Sequence, residues 1–221
     1  MDFWYSYLVF VLGSYLKIFG IKPQIAGLEN IPRGPKIIVG NHPNATDSFH
    51  LPFLIKEKIN ALAEYDLIQA PIVGNWLRRA DMIPVIPGKG RDALKAARDR
   101  LLKGNAVLIY PEAKLSNTHQ VTHTGTGVAR LAVDANVPIV PFGVYVPNQY
   151  LRVFHGHAKS GRATIGGWQI RGKTFFVFGK PFTVPSDKVN AESHTFYRHF
   201  TDDIMNTVAN LTEQAKSLFE N

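Results

Sequence analysis

Apolar and polar positions alternate along the chain between short runs typical of β-strands and longer runs with helical spacing. From residue 35 onward, short apolar runs predict strands at 35–40, 59–64, 82–86, 106–110, 139–146 and 174–178. Between them, a period near that of the α-helix predicts helices at about 45–56, 71–79, 90–103, 125–135 and 192–217. This order predicts an α/β fold, a single layered domain whose central sheet is mixed but largely parallel and is flanked by helices.

The last predicted helix carries apolar side chains on one face, with charged residues between them. These are Phe196, Phe200, Ile204, Val208, Leu211, Ala215 and Phe219. Such a face is typical of a helix that packs on a sheet. Residues 147–172, rich in Gly, His and Arg, have weak periodicity, and we expect a loop or hairpin there that lines part of a cleft.

The N-terminal segment is apolar and aromatic. Residues 3–16 carry no charge, but they are too few to span a bilayer comfortably, and the segment lacks the basic start and cleavage site of a signal peptide. One interpretation is a helix lying in a membrane interface, which aromatic residues favour; the other is a helix folded back onto the protein's own core. Our working hypothesis assigns residues 1–22 to a membrane-interface helix and residues 23–221 to the α/β domain. This places a peripheral or monotopic protein at the cytoplasmic face of a membrane.

Composition narrows the chemistry. The chain has 221 residues, of which 45% are apolar, and this suits one domain with a single core. It contains no cysteine, which excludes disulfides, thiolate zinc sites and a cysteine nucleophile, and favours a reducing compartment. A net charge of +8 and a pI near 9.7 indicate an anionic partner, whether nucleic acid, a phospholipid surface, a phosphorylated substrate or an acidic carrier protein.

The segment after the first predicted strand of the domain holds the strongest candidate for catalysis. Residues 41–47 read Asn-His-Pro-Asn-Ala-Thr-Asp and set His42 and Asp47 five positions apart. A neutral imidazole can accept a proton through one ring nitrogen while a carboxylate holds the other. The two side chains can meet if His42 precedes a helix and Asp47 lies in its first turn. The alternative is that Asp47 caps the helix and that His42 is an ordinary loop histidine.

Two further segments place charged residues after predicted strands. Residues 82–91 run from a strand into a loop with two glycines, where backbone amides with Lys89 or Arg91 could hold a phosphate; a solvated turn is the alternative. Residues 108–116 place Glu112 and Lys114 just past a buried strand, where a surface ion pair is the alternative. In an α/β domain, residues at such strand ends share one cleft.

Together with the apolar residues 136–144, these segments resemble the glycerolipid acyltransferases, the lysophospholipid or 1-acylglycerol-3-phosphate acyltransferase family. The family's histidine, four residues and aspartate are matched by His42 and Asp47. Its Phe-Pro-Glu-Gly-Thr-Arg-Ser signature is matched in part by residues 110–116, which read Tyr-Pro-Glu-Ala-Lys-Leu-Ser. Its Val-Pro-Ile-Val-Pro strand is matched by residues 137–141, and residues 127–132 are similar to the helix that precedes this strand.

The resemblance implies a membrane-associated enzyme of phospholipid biosynthesis. It would transfer a fatty acyl group from acyl-CoA or acyl carrier protein to a hydroxyl of a lyso-glycerolipid at an anionic membrane, without a metal or other cofactor. His42 would be the general base and Asp47 would fix its tautomer. Glu112 would orient the acceptor's polar head, and backbone amides around Asn41 would help to hold the thioester or its oxyanion. No covalent acyl-enzyme is needed, and the chain has no Gly-x-Ser-x-Gly elbow.

Two departures from the family pattern concern the acceptor's phosphate. The arginine of the second segment is replaced by Ile86-Pro87, and the Gly-Thr-Arg of the third by Ala113-Lys114-Leu115. Lysine does not reproduce the bidentate contact of a guanidinium. Either Lys89, Arg91 and Lys114 form a rearranged phosphate site, or the acceptor lacks a phosphate at that position.

Three other functions fit parts of the sequence less well. A catalytically altered lipid-binding protein of the same fold would account for the changed third segment. Nucleic-acid binding would use the positive charge, but the basic residues are scattered and match no reader motif. A metal hydrolase would need acidic partners at ligand spacing near His119 and His123, or near His155 and His157, and the sequence has none there.

Overall fold

The architecture is α/β, as the alternation of strands and helices predicts. The computed structural model describes residues 2–112, 124–157, 163–184 and 194–220. The strands are β1 (Lys22–Ala26), β2 (Lys36–Gly40), β3 (Ile59–Glu64), β4 (Ile83–Val85), β5 (Ala106–Ile109), β6 (Ile139–Tyr145), β7 (Leu151–His157), β8 (Ala163–Gln169) and β9 (Lys173–Phe178). The helices are α1 (Phe3–Ile18), α2 (Leu51–Leu54), α3 (Tyr65–Ile68), α4 (Val73–Arg79), α5 (Gly90–Leu102), α6 (Gly127–Ala135) and α7 (His194–Glu220).

Seven of these strands form one sheet in the order β1-β9-β6-β2-β5-β3-β4. The pairs β6–β2, β2–β5, β5–β3 and β3–β4 are parallel, whereas β9 runs antiparallel to β6 and carries β1 parallel to itself. The expected mixed, largely parallel sheet is thus confirmed. Because β2 and β5 are parallel neighbours, the residues that follow them meet at one edge.

The core lies on both faces of the sheet. Every residue of β2 and of β5 is buried, as expected for central strands of a parallel sheet covered on both sides. One face packs against α5, α6 and α7 through side chains such as Ile37, Val107 and Ile204. On the other face, Ile38 and Leu108 pack with phenylalanine side chains of β6 and β9.

Helix α1 has two different sides. Tyr5 and Leu8 are buried against the segment that joins β3 to β4, and the Tyr5 hydroxyl accepts a hydrogen bond from the backbone N–H of Ile59 at 3.1 Å. On the outer side, Phe3, Phe10 and Ile18 are 71%, 68% and 78% exposed. Part of the helix thus folds back onto the core while an apolar face stays in solvent. Among the described helices, none combines the length and the apolar character that crossing a bilayer requires.

The structure differs from the predicted elements in three places. The helix expected at 45–56 is a 3₁₀ turn over Asp47–His50 followed by the short α2. Strand β1 was not predicted, and neither was the short α3. Residues 147–172 contain the expected hairpin, in which β7 and β8 pair antiparallel.

Candidate active site

The loop after β2 is held from both sides. The Asn41 side chain donates to the Val144 carbonyl at 2.9 Å and accepts from the Val144 N–H at 2.8 Å, which fastens the end of β2 to β6. On the other side, the backbone N–H of Ala45 donates to the carbonyl of Gly167 in β8 at 2.8 Å. The hairpin therefore packs on the loop that carries His42, and the Asn41 side chain serves the scaffold while its backbone stays at the site.

His42 and Asp47 are in direct contact. The Nδ1 of His42 lies 3.1 Å and 3.0 Å from the two carboxylate oxygens of Asp47. Asp47 is fully buried, whereas the His42 side chain is 22% exposed. A carboxylate only accepts hydrogen bonds, so Nδ1 carries a proton, and in the neutral imidazole Nε2 then has the free lone pair. Among the described residues Nε2 has no hydrogen-bond partner, which leaves it available to a substrate.

The contact is possible because the backbone between the two residues is not a regular helix. Asp47 opens the 3₁₀ turn, and His42 lies in the irregular loop before it. Within that loop, Asn44 accepts hydrogen bonds from the backbone and hydroxyl of Thr46 at 2.9 Å and 2.7 Å. The backbone N–H of Asn44 donates to Asp47 at 3.3 Å. Asp47 therefore both receives a loop amide and faces the imidazole, while the 3₁₀ turn that it opens has no side-chain cap.

Tyr110, directly after β5, touches both members of this pair. Its ring is stacked on the His42 imidazole, with centroids 4.0 Å apart and an angle of 8° between the planes. Its hydroxyl donates to Asp47 Oδ1 at 3.3 Å. Burial, and then the Asp47 charge, raise the pKa of Tyr110 well above its usual range, so the phenol stays protonated. The sequence segment containing Tyr110 was identified, but nothing in the pattern assigned it this contact.

Glu112 is buried beside the same pair. It is 6% exposed, and neither carboxylate oxygen has a hydrogen-bond partner among the described residues. Burial raises the pKa of Glu112 to about 7; the His42 charge opposes that rise and the Asp47 charge adds to it. A buried acid without a partner, close to a base, is suited to receive a polar group of a ligand.

The predicted basic residues are less closely placed. Lys89 and Arg91 are exposed at the start of α5, which follows β4, so they lie at the same edge of the sheet as His42. Lys114 lies outside the described residues, as do His119 and His123. His155 is an exposed residue of β7. Within the described parts of the chain, no group of three His, Cys, Asp or Glu side chains could hold a metal ion.

Comparison with known proteins bears on the family to which this chain belongs. A family model described as Acyltransferase matches residues 22–145, more than half of the chain, and this span contains the site. The chain is 30% identical over 128 residues to a 1-acyl-sn-glycerol-3-phosphate acyltransferase of Pseudomonas aeruginosa, covering 56% of this chain and 49% of that protein. It is 25% identical over 159 residues to the human 1-acyl-sn-glycerol-3-phosphate acyltransferase alpha, covering 70% and 54%. The chain thus spans about half the length of these relatives.

The fold has a counterpart among solved structures. The crystal structure of the 1-acyl-sn-glycerophosphate acyltransferase PlsC from Thermotoga maritima superposes with a TM-score of 0.66. The match covers 98% of this chain and 82% of that one at 20% identity. At that identity the likeness shows a shared fold only, and the evidence for the family is the match of the family model. On that match, this protein belongs to the acyltransferase family.

Proposed function

We propose that this protein is an O-acyltransferase that moves a fatty acyl group from acyl-CoA or acyl carrier protein to a hydroxyl of a lyso-glycerolipid, such as 1-acylglycerol-3-phosphate. The observation that carries the proposal is the His42–Asp47 pair, in contact at 3.0 Å with Nε2 left free. It lies inside the span that the family model matches. The relatives are named as 1-acyl-sn-glycerol-3-phosphate acyltransferases, which supports the same acceptor class.

The chemistry follows from the orientation of the imidazole. Nε2 of His42 removes the proton from the acceptor hydroxyl as its oxygen attacks the thioester carbonyl. The C–O ester bond forms, the C–S bond breaks, and the imidazolium returns its proton to the leaving thiolate. Asp47 holds Nδ1–H and stabilises the transient imidazolium. Backbone amides around Asn41 would stabilise the oxyanion of the tetrahedral intermediate.

Glu112 supports the assignment of the acceptor side of the site. Its pKa of about 7 means that protonated and ionised forms are both populated near neutral pH, so it can donate or accept a hydrogen bond. A glycerol-type acceptor has a second polar group close to the reacting hydroxyl. Binding that group would satisfy carboxyl oxygens that are otherwise unpaired.

A phosphate on the acceptor would be met by Lys89, Arg91 and Lys114. The first two stand in solvent at the edge where the site opens, so their charge can attract an anionic head group. Lys89 and Lys114 would act as point charges, so that only Arg91 could make a bidentate contact. We therefore expect this site to tolerate more variation in the phosphate's position than an arginine pair would.

A membrane surface would supply the lipid acceptor. The exposed apolar face of α1 and the net charge of +8 suit a peripheral attachment to anionic lipids. In this arrangement α1 binds the interface with its outer face while its inner face stays packed on the core. We propose the cytoplasmic leaflet, where anionic lipids are concentrated.

The test is turnover of a labelled acyl-CoA with a panel of lyso-lipids, with and without a phosphate, read by mass spectrometry. His42→Ala should lower kcat by about 10²–10⁴-fold, the usual contribution of a general base. His199→Ala, at an exposed position on α7, is the matched control and should leave turnover unchanged. An inactive wild type whose lipid affinity survives His42→Ala would instead indicate a lipid-binding protein.

A further inference from the structure

One side chain contacts both halves of the dyad. The Tyr110 ring covers a face of the His42 imidazole at a centroid distance of 4.0 Å, and its hydroxyl reaches Oδ1 of Asp47 at 3.3 Å. A chain of contacts therefore runs from Asp47 through Tyr110 to His42. The family-type signature that residues 110–116 resemble has phenylalanine at the first position, and so lacks this hydroxyl.

We propose that Tyr110 is a positioning residue for acyl transfer, fixing the plane of the His42 ring through its own ring and the Asp47 carboxylate through its hydroxyl. The inference rests on the proposed function, because it concerns the same base. It concerns a residue that acts through His42 and Asp47, and Tyr110 itself takes no proton from the substrate.

The ring contact restricts the imidazole. Nearly parallel planes, 8° apart, prevent the His42 ring from rotating away from Asp47 without losing the stacking contact. During the reaction the imidazole becomes a cation, and an aromatic face favours a cation placed over it. The ring should therefore help both before and after proton transfer.

The hydroxyl acts on the carboxylate. Asp47 Oδ1 lies within hydrogen-bonding distance of the phenol and of His42 Nδ1, while Oδ2 faces Nδ1 and the amide of Asn44. A hydrogen bond from the phenol partly neutralises the negative charge of Asp47, so Asp47 stabilises an imidazolium less strongly. Removing the hydroxyl should therefore loosen the geometry and, at the same time, make protonation of His42 more favourable.

Three ionisable groups face His42. Asp47 contacts His42 from the 3₁₀ turn, and Tyr110 contacts it from the end of β5. Glu112, two residues after Tyr110, interacts with His42 through its charge. The pKa of Glu112 is about 7, so the effect of its titration on the rate and on the NMR signal has to be distinguished from that of His42. The experiment is therefore run in the native background and again with Glu112→Gln.

The test compares the wild type with Tyr110→Phe, which keeps the ring and deletes the hydroxyl. We expect kcat to fall about threefold to tenfold, the equivalent of one ordinary hydrogen bond. The acid limb of the rate profile should move upward by about half a pH unit. Tyr110→Leu, which also loses the stacked ring, should lower kcat further. Tyr5→Phe deletes another buried hydroxyl, remote from the site, and should change stability without moving the acid limb.

A second readout needs no turnover. In nitrogen NMR spectra, the pH midpoint of the His42 imidazole should be higher in Tyr110→Phe than in the wild type, in both Glu112 backgrounds. An unchanged midpoint, or a loss of kcat without a shift of the acid limb, would overturn the positioning role. The NMR titration also separates this proposal from the proposed function. If the wild type had no acyltransferase activity, the proposed function would fail, but the NMR shift would still test the contact of Tyr110 with Asp47 and His42.

Discussion

At the residue scale, Asp47 and Glu112 are two buried carboxyl groups with opposite surroundings. Asp47 receives a backbone amide, a phenol and an imidazole, whereas Glu112 has no hydrogen-bond partner among the described residues. Donors around a carboxylate favour its ionised form, and burial without donors favours the protonated form. Glu112 therefore holds its proton more tightly than an exposed carboxyl group would.

Glu112 should make stability depend on pH. Burial raises its pKa from 4.5 to about 7, so the folded state holds the proton more tightly than the unfolded state does. The resulting stabilisation is fully present below about pH 4.5 and is lost as the pH rises to about 7. Between pH 5 and pH 8, the wild type should lose about 2–3 kcal/mol of unfolding free energy relative to Glu112→Gln, which does not titrate.

Urea unfolding at the two pH values measures this difference. Glu213→Gln, at an exposed position on α7, is the matched control and should follow the wild type. Parallel pH dependence in the wild type and in Glu112→Gln would show that the carboxyl does not bind its proton as described.

The residue pair could be predicted from the sequence because both members belong to one short segment. A proline after His42 and a capping residue before Asp47 already indicated a break that lets the two side chains meet. Tyr110 could not be placed, since its hydroxyl reaches Asp47 from a different strand and depends on how β2 and β5 are paired. The Asn41 side chain was equally hidden, because its partner Val144 is more than a hundred residues away.

At the element scale, α1 combines a packing face with an apolar outer face. We expect Phe3→Ser combined with Phe10→Ser to lower partition into anionic vesicles at least about tenfold, because burying a phenylalanine in an apolar phase contributes about 1.5–3 kcal/mol. Since both side chains are exposed, the free energy of unfolding should change by less than about 0.5 kcal/mol for each. Vesicle sedimentation gives the first quantity and urea unfolding gives the second.

The matched control is Leu102→Ser, which replaces another exposed apolar residue, at the end of α5. Its vesicle binding should equal that of the wild type. Equal binding by the α1 double variant would contradict the interface role and leave α1 as a purely structural helix.

The long amphipathic elements were predictable, and the short ones were not. Helices α5, α6 and α7 have clear apolar faces, and their bounds lie within three residues of those predicted. Strand β1 contains Lys22, Pro23 and Gln24, and it exists because β9 pairs with it. The turn at Asp47–His50 and the short α2 replace a regular helix where Asp47 turns toward His42. Local pattern thus fails where distant pairing or the site determines the backbone.

At the scale of the whole molecule, α7 covers the sheet at very close range. A Cβ added at Gly143 of β6 would lie 2.2 Å from backbone atoms of Leu211 and Thr212. Neither backbone can move without separating α7 from the sheet, so Gly143→Ala should destabilise the protein by about 3 kcal/mol or more. Denaturant unfolding should show this as a lower midpoint. Gly90→Ala is the control, since nothing lies within 4 Å of its added Cβ.

An unchanged midpoint for Gly143→Ala would contradict the tight packing of α7. The sequence predicted that this helix packs on the sheet, and its apolar face does so. It could not predict the direction of β9, because a strand of the same composition fits a parallel or an antiparallel neighbour. The contacts that fix the direction lie between strands far apart in the chain.

The pairing of β1 with β9 has a consequence for biosynthesis. Lys22 pairs with Lys173, so about 150 residues must be translated before the strand next to α1 finds its neighbour. At ordinary elongation rates this takes roughly 8–30 seconds. During that interval the nascent chain carries the apolar helix α1 beside an unpaired strand. We therefore expect ribosome-bound chains to depend on a chaperone or a lipid surface to shield that helix until the sheet closes.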